Sequence, residues 1–270
     1  MTLHVVVIGA GIVGAATAFE LIKSGHRVTI VDPGAPGGAQ AASYGNGAWI
    51  SSASIIPMSV PGLWRKVPGY LLDRNGPLTI RWQELPRLLP WLLRFLAAGA
   101  TVSRVEATAR ALSSLLCDAP TRHAALANQV DRPDCVVRSG VLYAYPRRAD
   151  FESEALAWRL RRDNGLRWVE LDSESLHRRE PALADHYRFG ILVENAAHCP
   201  DPGVYVDAIV EQAIKCGAIL RQSTALGFEF AGRRLKAVLT NAGPISCDRA
   251  VIAAGIWSKD LAKKAGDNIP

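Results

Sequence analysis

The sequence predicts an α/β fold, and three adjoining stretches predict it. Residues 4–8, His-Val-Val-Val-Ile, are a nearly continuous apolar run that leads straight into Gly9-Ala10-Gly11-Ile12-Val13-Gly14. Ala15, Ala18, Leu21 and Ile22 follow at helical spacing, and Gly25 stands where a helix C-cap belongs. A second run, residues 27–31, ends at Asp32, eighteen residues after Gly14. Strand, glycine turn, helix, strand and acid within one short unit make a Rossmann-like arrangement.

Each part has a physical job. Gly9 permits the tight turn, Gly11 lets main chain approach a pyrophosphate, and Gly14 lets helix and strand pack closely. The helix starting near Ile12 aims its N–H groups and positive dipole end at phosphates. Ala10, Ile12 and Val13 therefore belong to the expected site. Asp32, followed by Pro33, is placed to accept hydrogen bonds from ribose hydroxyls. The competing readings are incidental glycines in an ordinary strand–turn–helix, and Asp32 as a solvated strand-end acid.

Composition bounds the function. A chain of 270 residues with 49% hydrophobic and 21% charged residues buries a sizeable core as one or two domains. The net charge of +6 is mild, and no basic run interleaved with aromatics points to nucleic acid. The five cysteines, at 117, 135, 199, 216 and 247, form no CxxC pair, and no His/Cys spacing suits a metal. They read as reduced thiols of a cytoplasmic protein. No charged n-region precedes the first strand, so no secretory signal is expected.

Beyond Asp32 the strand–helix alternation stops. Residues 33–48 form a small-residue loop without an apolar period, and a long loop of this kind is usually functional. Residues 55–90 carry Pro57, Pro61, Pro68, Pro77, Pro86 and Pro90, which predicts irregular chain with short helices at most. Helical patterns run from Trp91 to Ala98, from Arg104 to about Asn128, from Asp150 to Arg162 and from Tyr205 to Lys215. Strands are expected at 140–145, 167–171, 190–194, 218–221, 226–230, 235–240 and 250–254, the last ending at Gly255.

Four separated stretches resemble the FAD-dependent D-amino-acid dehydrogenase/oxidase family, most closely its bacterial dehydrogenase branch. They are the N-terminal unit with Asp32; Ala42-Ser43-Tyr44-Gly45-Asn46-Gly47; Leu171-Asp172 through Glu180-Pro181-Ala182-Leu183 with Asp201-Pro202-Gly203; and Val251-Ile252-Ala253-Ala254-Gly255-Ile256-Trp257-Ser258. The resemblance implies a Rossmann-like FAD-binding domain made of residues 1–58 and 196–270, with an α+β substrate domain, 59–195, inserted between. It implies FAD contacts at Gly9, Ala10, Gly11, Ile12, Val13, Gly14, Asp32, Pro33, Ala42, Ser43, Asn46, Gly47, Leu226, Ala254 and Gly255, with the Leu226 backbone meeting adenine. Family members continue past the point where this chain stops, and that portion carries an arginine for the substrate carboxylate. The chain is accordingly expected to be a fragment or to rely on a remainder supplied elsewhere.

The implied reaction is oxidation of a D-amino acid to its imino acid, with hydride passing to flavin and electrons onward to a quinone or other acceptor. The alternatives are a glycine-, sarcosine- or proline-type oxidase, a nicotinamide-dependent dehydrogenase, and a catalytically inactive flavin-binding chain. No nucleophile–base constellation stands out. The candidates near the chemistry are Asn46, which a turn role would equally explain, His198, and Tyr143, which shares a strand face with Tyr145. Residues 85–96, Leu-Pro-Arg-Leu-Leu-Pro-Trp-Leu-Leu-Arg-Phe-Leu, are too short and charged to span a bilayer. A buried or interface helix is the favoured reading, and a peripheral helix on the inner membrane the alternative.

Overall fold

The computed structural model describes residues 1–72 and 81–269. Part of the proline-rich stretch, with Pro77, lies outside these residues. In chain order the elements are β1 (His4–Ile8), α1 (Ile12–Lys23), β2 (Arg27–Asp32), β3 (Trp49–Ser51), α2 (Leu63–Leu72), α3 (Leu85–Ala98), α4 (Val102–Leu116) and α5 (Ala119–Gln129). Then come β4 (Val141–Tyr145), α6 (Arg148–Glu152), α7 (Ala155–Asp163), β5 (Val169–Leu171), α8 (Ser173–Arg179), β6 (Phe189–Val193) and β7 (Ala196–His198). The chain closes with α9 (Pro202–Lys215), β8 (Ile219–Gln222), β9 (Ala225–Ala231), β10 (Arg234–Thr240), β11 (Gly243–Ser246), β12 (Arg249–Ile252) and α10 (Ser258–Lys264).

Two compact units emerge. The first is Met1–Trp49, His123–Val137 and His198–Pro270; the second is Ile50–Arg122 and Arg138–Ala197. The boundaries differ from those expected at 58/59 and 195/196 chiefly in residues 123–137, which join the first unit. Tyr205 of α9 holds them there: its hydroxyl donates to the His123 carbonyl at 3.2 Å and lies 3.2 Å from His123 Nδ1.

The first unit is built on a parallel sheet in the order β12-β1-β2-β8. Apolar β1 and β2 are buried because parallel strands are covered on both faces. Helix α1 buries Gly14, Ala15, Ala18 and Phe19. The buried stripe is thus turned from the expected one, since Leu21 and Ile22 are only half-buried and Phe19 supplies the bulk. An antiparallel sheet, β11-β10-β9, contributes Val238 to a core with Val6, Ile8, Val31 and Leu261.

The second unit contains the antiparallel sheet β4-β6-β5. Alternate residues Val141, Tyr143 and Tyr145 of β4 share one face, where they meet Phe151 of α6 and Trp158 of α7. The Trp158 indole donates to the Tyr145 hydroxyl at 3.1 Å, and that hydroxyl donates to Glu154 at 2.9 Å.

Several predicted helices are interrupted or extended for local reasons. The run from 104 to 128 divides into α4 and α5, because Pro120 has no N–H to carry the ladder across the join. Asp118 accepts instead from the N–H groups of Thr121 and Arg122. The run from 150 to 162 divides where the Ser153 hydroxyl donates back to the Asp150 carbonyl at 2.6 Å. Helix α3 starts six residues earlier than predicted, since Pro86 lies in the first turn, where no amide donor is needed. Helix α2, ten residues long, exceeds the short helices expected for its stretch. The three- and four-residue strands β3, β7 and β11 and the seven-residue α8 escape a periodicity reading, being too short to show a period.

Candidate cofactor site

The site lies in the first unit, at the carboxyl ends of adjacent parallel strands, where ligands of open α/β sheets bind. Ile8 of β1 pairs with Val31 of β2 on one side and Ile252 of β12 on the other. The first glycine motif and the Ala253-Ala254-Gly255 turn therefore emerge side by side, although some 240 residues separate them. The Ala253 amide donates to the Ile8 carbonyl at 2.8 Å.

Within the first glycine motif, glycine is required at two positions by the protein itself. Gly9 has φ +108°, and a Cβ there would stand 2.4 Å from the Ala253 oxygen. A Cβ on Gly14 would stand 1.9 Å from the Gly9 oxygen. Gly11 is different. Its backbone is extended (φ −68°, ψ 177°), and a Cβ there would meet only Ser43 Oγ, at an ordinary 3.5 Å. Nothing within the unit excludes a side chain at Gly11, so the bare backbone is explained by something approaching from outside. It caps α1, whose first turn stays open, with Val13 66% exposed. A phosphate fits this surface, with amides and the helix dipole facing it.

Asp32 is buried at the end of β2. Its Oδ2 accepts from the Ala10 amide at 2.8 Å, and its Oδ1 from the Gly34 amide at 2.9 Å and Gln40 Nε2 at 3.3 Å. Asp32 is thus no solvated strand-end acid: it ties the glycine loop to the segment after β2. A carboxylate offers about four lone-pair positions, so acceptor capacity remains for a ribose hydroxyl. Gln40 is a site residue the sequence reading missed. The available signal was chemical, since Gln40 carries the one hydrogen-bonding side chain between Pro33 and Ala42.

The loop after Asp32 folds back on the helix terminus. Ser43 Oγ accepts from the Ile12 amide at 3.0 Å, and Ala42 stands exposed beside it in the same turn. The loop is seated on α9, where a Cβ on Gly37 would lie 2.1 Å from the Gly203 oxygen. Asp201 caps that helix by accepting from the Val204 amide at 3.0 Å.

The remaining candidates fall in varied places. Asn46 Oδ1 accepts from the Ala48 amide at 2.7 Å, and Ala48 has φ +56°, so the Asn46 side chain serves a turn. Gly47, between them, is exposed. Pro33 is exposed, and its carbonyl accepts from Gln222 Nε2 at 3.3 Å. Ala254 precedes a 3₁₀ turn, Gly255–Trp257, in which Gly255 has φ +56°. The Leu226 side chain is half exposed, and its carbonyl accepts from Lys264 Nζ at 2.9 Å. Ala225, one residue earlier, packs instead on the cluster holding Val31 and Ile8. His198 pairs its backbone with Val137, at 2.9 Å in each direction. Tyr143 is a packing residue of the second unit, its ring edge-on to Trp158 at 5.2 Å and under the Arg161 guanidinium at 5.4 Å. Burial raises its phenol pKa. Among the described residues no cluster of His, Cys, Asp and Glu could hold a metal.

Residues 4–270 match the DAO family, described as FAD dependent oxidoreductase. The chain belongs to this family. It is 50% identical over 267 residues to a D-amino-acid oxidase of Bradyrhizobium diazoefficiens, covering 99% of this chain and 63% of that protein. It is 34% identical to D-amino acid dehydrogenase 2 of Ralstonia nicotianae, covering 96% of this chain and 62% of the relative. The chain thus spans just under two thirds of the length of these relatives. Its fold resembles L-amino acid deaminase from Proteus vulgaris, with TM-score 0.66 at 20% identity over all of this chain and 51% of that one. Glycine oxidase from Geobacillus kaustophilus matches with TM-score 0.65 at 20% identity, over 98% and 58%. The residues present fit the family's FAD: an open helix N-terminus, a glycine whose missing side chain the protein does not need, and a fixed acid beyond the second strand.

Proposed function

We propose that this chain carries the FAD-binding portion of an enzyme that oxidises a D-amino acid to the imino acid. The observation that carries the reading is the pairing of the open Gly11–Val13 helix terminus with Asp32 and the Ala253–Gly255 turn, in a chain half identical to a D-amino-acid oxidase. FAD, when bound, accepts the hydride of the substrate α-carbon. The chain's own residues hold and orient. The α1 amides and dipole neutralise pyrophosphate charge. Asp32, held by the Ala10 and Gly34 amides, keeps a carboxylate oriented toward ribose. The Ser43 hydroxyl, accepting from Ile12, is positioned to donate its proton to a phosphate oxygen. The product imine loses its nitrogen to water, giving a keto acid and ammonia, with electrons passed to a quinone or another acceptor. Localisation in the cytoplasm, with peripheral contact at the inner membrane, accords with this acceptor.

The test is an absorbance spectrum of the purified protein with FAD, before and after anaerobic addition of D-alanine. Bleaching of the flavin bands is expected with the D-isomer and not with L-alanine. Binding of FAD without bleaching by any of a panel of D-amino acids would leave a flavin-binding chain and refute the enzyme. No binding of FAD by the folded protein would refute the site itself.

A further inference from the structure

We infer that Gln40 is a positioning residue for the adenosine half of the cofactor: its carboxamide, laid over Gly34 and Gly38, fixes the Asp32 carboxylate so that the remaining lone pairs serve the ribose. This role rests on the FAD-binding reading above and lies one step behind the ribose contact itself.

The amide group sets the geometry. Gln40 Nε2 lies 2.6 Å from the Ala35 carbonyl oxygen and 3.3 Å from Asp32 Oδ1, so both of its protons have acceptors. Turned over, the carboxamide would set its own oxygen against two other acceptors, which defines its orientation. Asp32 is buried, and its other donors are the Ala10 amide to Oδ2 and the Gly34 amide to Oδ1. All of these donors are neutral, so the carboxylate keeps its charge for a hydroxyl group that donates to it.

Two glycines make room for this side chain. A Cβ on Gly34 would stand 2.3 Å from Gln40 Cδ and 2.4 Å from its Nε2, and a Cβ on Gly38 would stand 2.4 Å from its Oε1. Neither glycine has a positive φ, so backbone conformation does not call for glycine at either place. At Gly34 the three nearest atoms all belong to Gln40, so the glutamine is what a side chain there would displace. An exposed glutamine ordinarily keeps its rotamer freedom. Here residues 34, 38 and 40 serve one placement, and that placement ends on Asp32. A carboxylate held in this way has less freedom to lose when ribose binds, which raises affinity.

Titration calorimetry with FAD, ADP and 2′,3′-dideoxy-ADP tests the assignment, because the last ligand lacks both ribose hydroxyls. Gln40→Ala is expected to weaken FAD and ADP about fivefold, the effect of one ordinary hydrogen bond, and dideoxy-ADP less than about twofold. Gly34→Ala keeps its amide donor but displaces the glutamine. It is expected to give the same loss, and the double variant no more than either single one. Circular dichroism spectra of all three are expected to match the parent's. An equal loss for ADP and dideoxy-ADP would overturn the inference, since residue 40 would then act on the loop as a whole. So would an unchanged ADP affinity in Gln40→Ala, or additive losses in the double variant. A folded parent that binds neither FAD nor ADP would refute the cofactor site, and the role of Gln40 with it.

Discussion

Alanine at Gly14 and alanine at Gly11, three residues apart in one loop, are expected to fail in opposite ways. At Gly14 the new methyl carbon would lie 1.9 Å from the Gly9 oxygen and 2.9 Å from its carbonyl carbon. Ordinary carbon–oxygen contact is more than 3 Å, so backbone has to move by about an ångström, and no flexible side chain is there to yield. Overpacking of this kind costs on the order of 1–3 kcal/mol. Gly11→Ala meets nothing closer than Ser43 Oγ at 3.5 Å and keeps an extended backbone that any residue adopts. Its unfolded chain is stiffer, so stability is expected to hold or to rise by up to about 1 kcal/mol. The same methyl stands where a pyrophosphate would approach. FAD affinity is expected to fall at least tenfold, about 1.4 kcal/mol. Urea unfolding without cofactor measures the first effect, and quenching of FAD fluorescence on titration the second. A Gly11→Ala protein as destabilised as Gly14→Ala, or one binding FAD as the parent does, would refute the assignment of Gly11 to a ligand.

Two further predictions concern residues away from the glycine loop. Tyr145→Phe removes the acceptor of the buried Trp158 indole N–H and is expected to cost about 1–3 kcal/mol in urea unfolding, with FAD binding unchanged. A cost near zero would show that the indole finds another partner. His123 has its pKa lowered by burial. The unfolded chain therefore binds the proton first, so the stabilising contribution is full above the unfolded pKa near 6.5 and is lost as pH falls through it toward the folded value. As pH falls below about 6.5, the native protein is expected to lose stability more steeply than His123→Gln in unfolding midpoints measured across pH; parallel curves would exclude His123 as the titrating group.

Much of the site was legible because its physics is local. Gly9 and Gly14 are demanded by contacts within strand–turn–helix, Asp32 by its place at the end of β2, and Gly25 by a left-handed C-cap at φ +81°. Where an element depended on partners far along the chain, local pattern misled. Periodicity joined α4 to α5 because it weighs apolar spacing and overlooks one proline. It favoured a covered α3, whose face none of the described residues buries.

What the sequence determined alone is the chemistry of the nucleotide-binding turn, because backbone conformation, glycine spacing and helix polarity act within about thirty residues. Tertiary structure alone decided that the turn at Ala253 lies against Gly9, that Asp32 spends two hydrogen bonds on amides, and that α3 faces outward. Pairing of β1 with β12 joins residues at opposite ends of the chain. No local period encodes such a contact, because its free energy comes from burial that exists only once the sheet has formed.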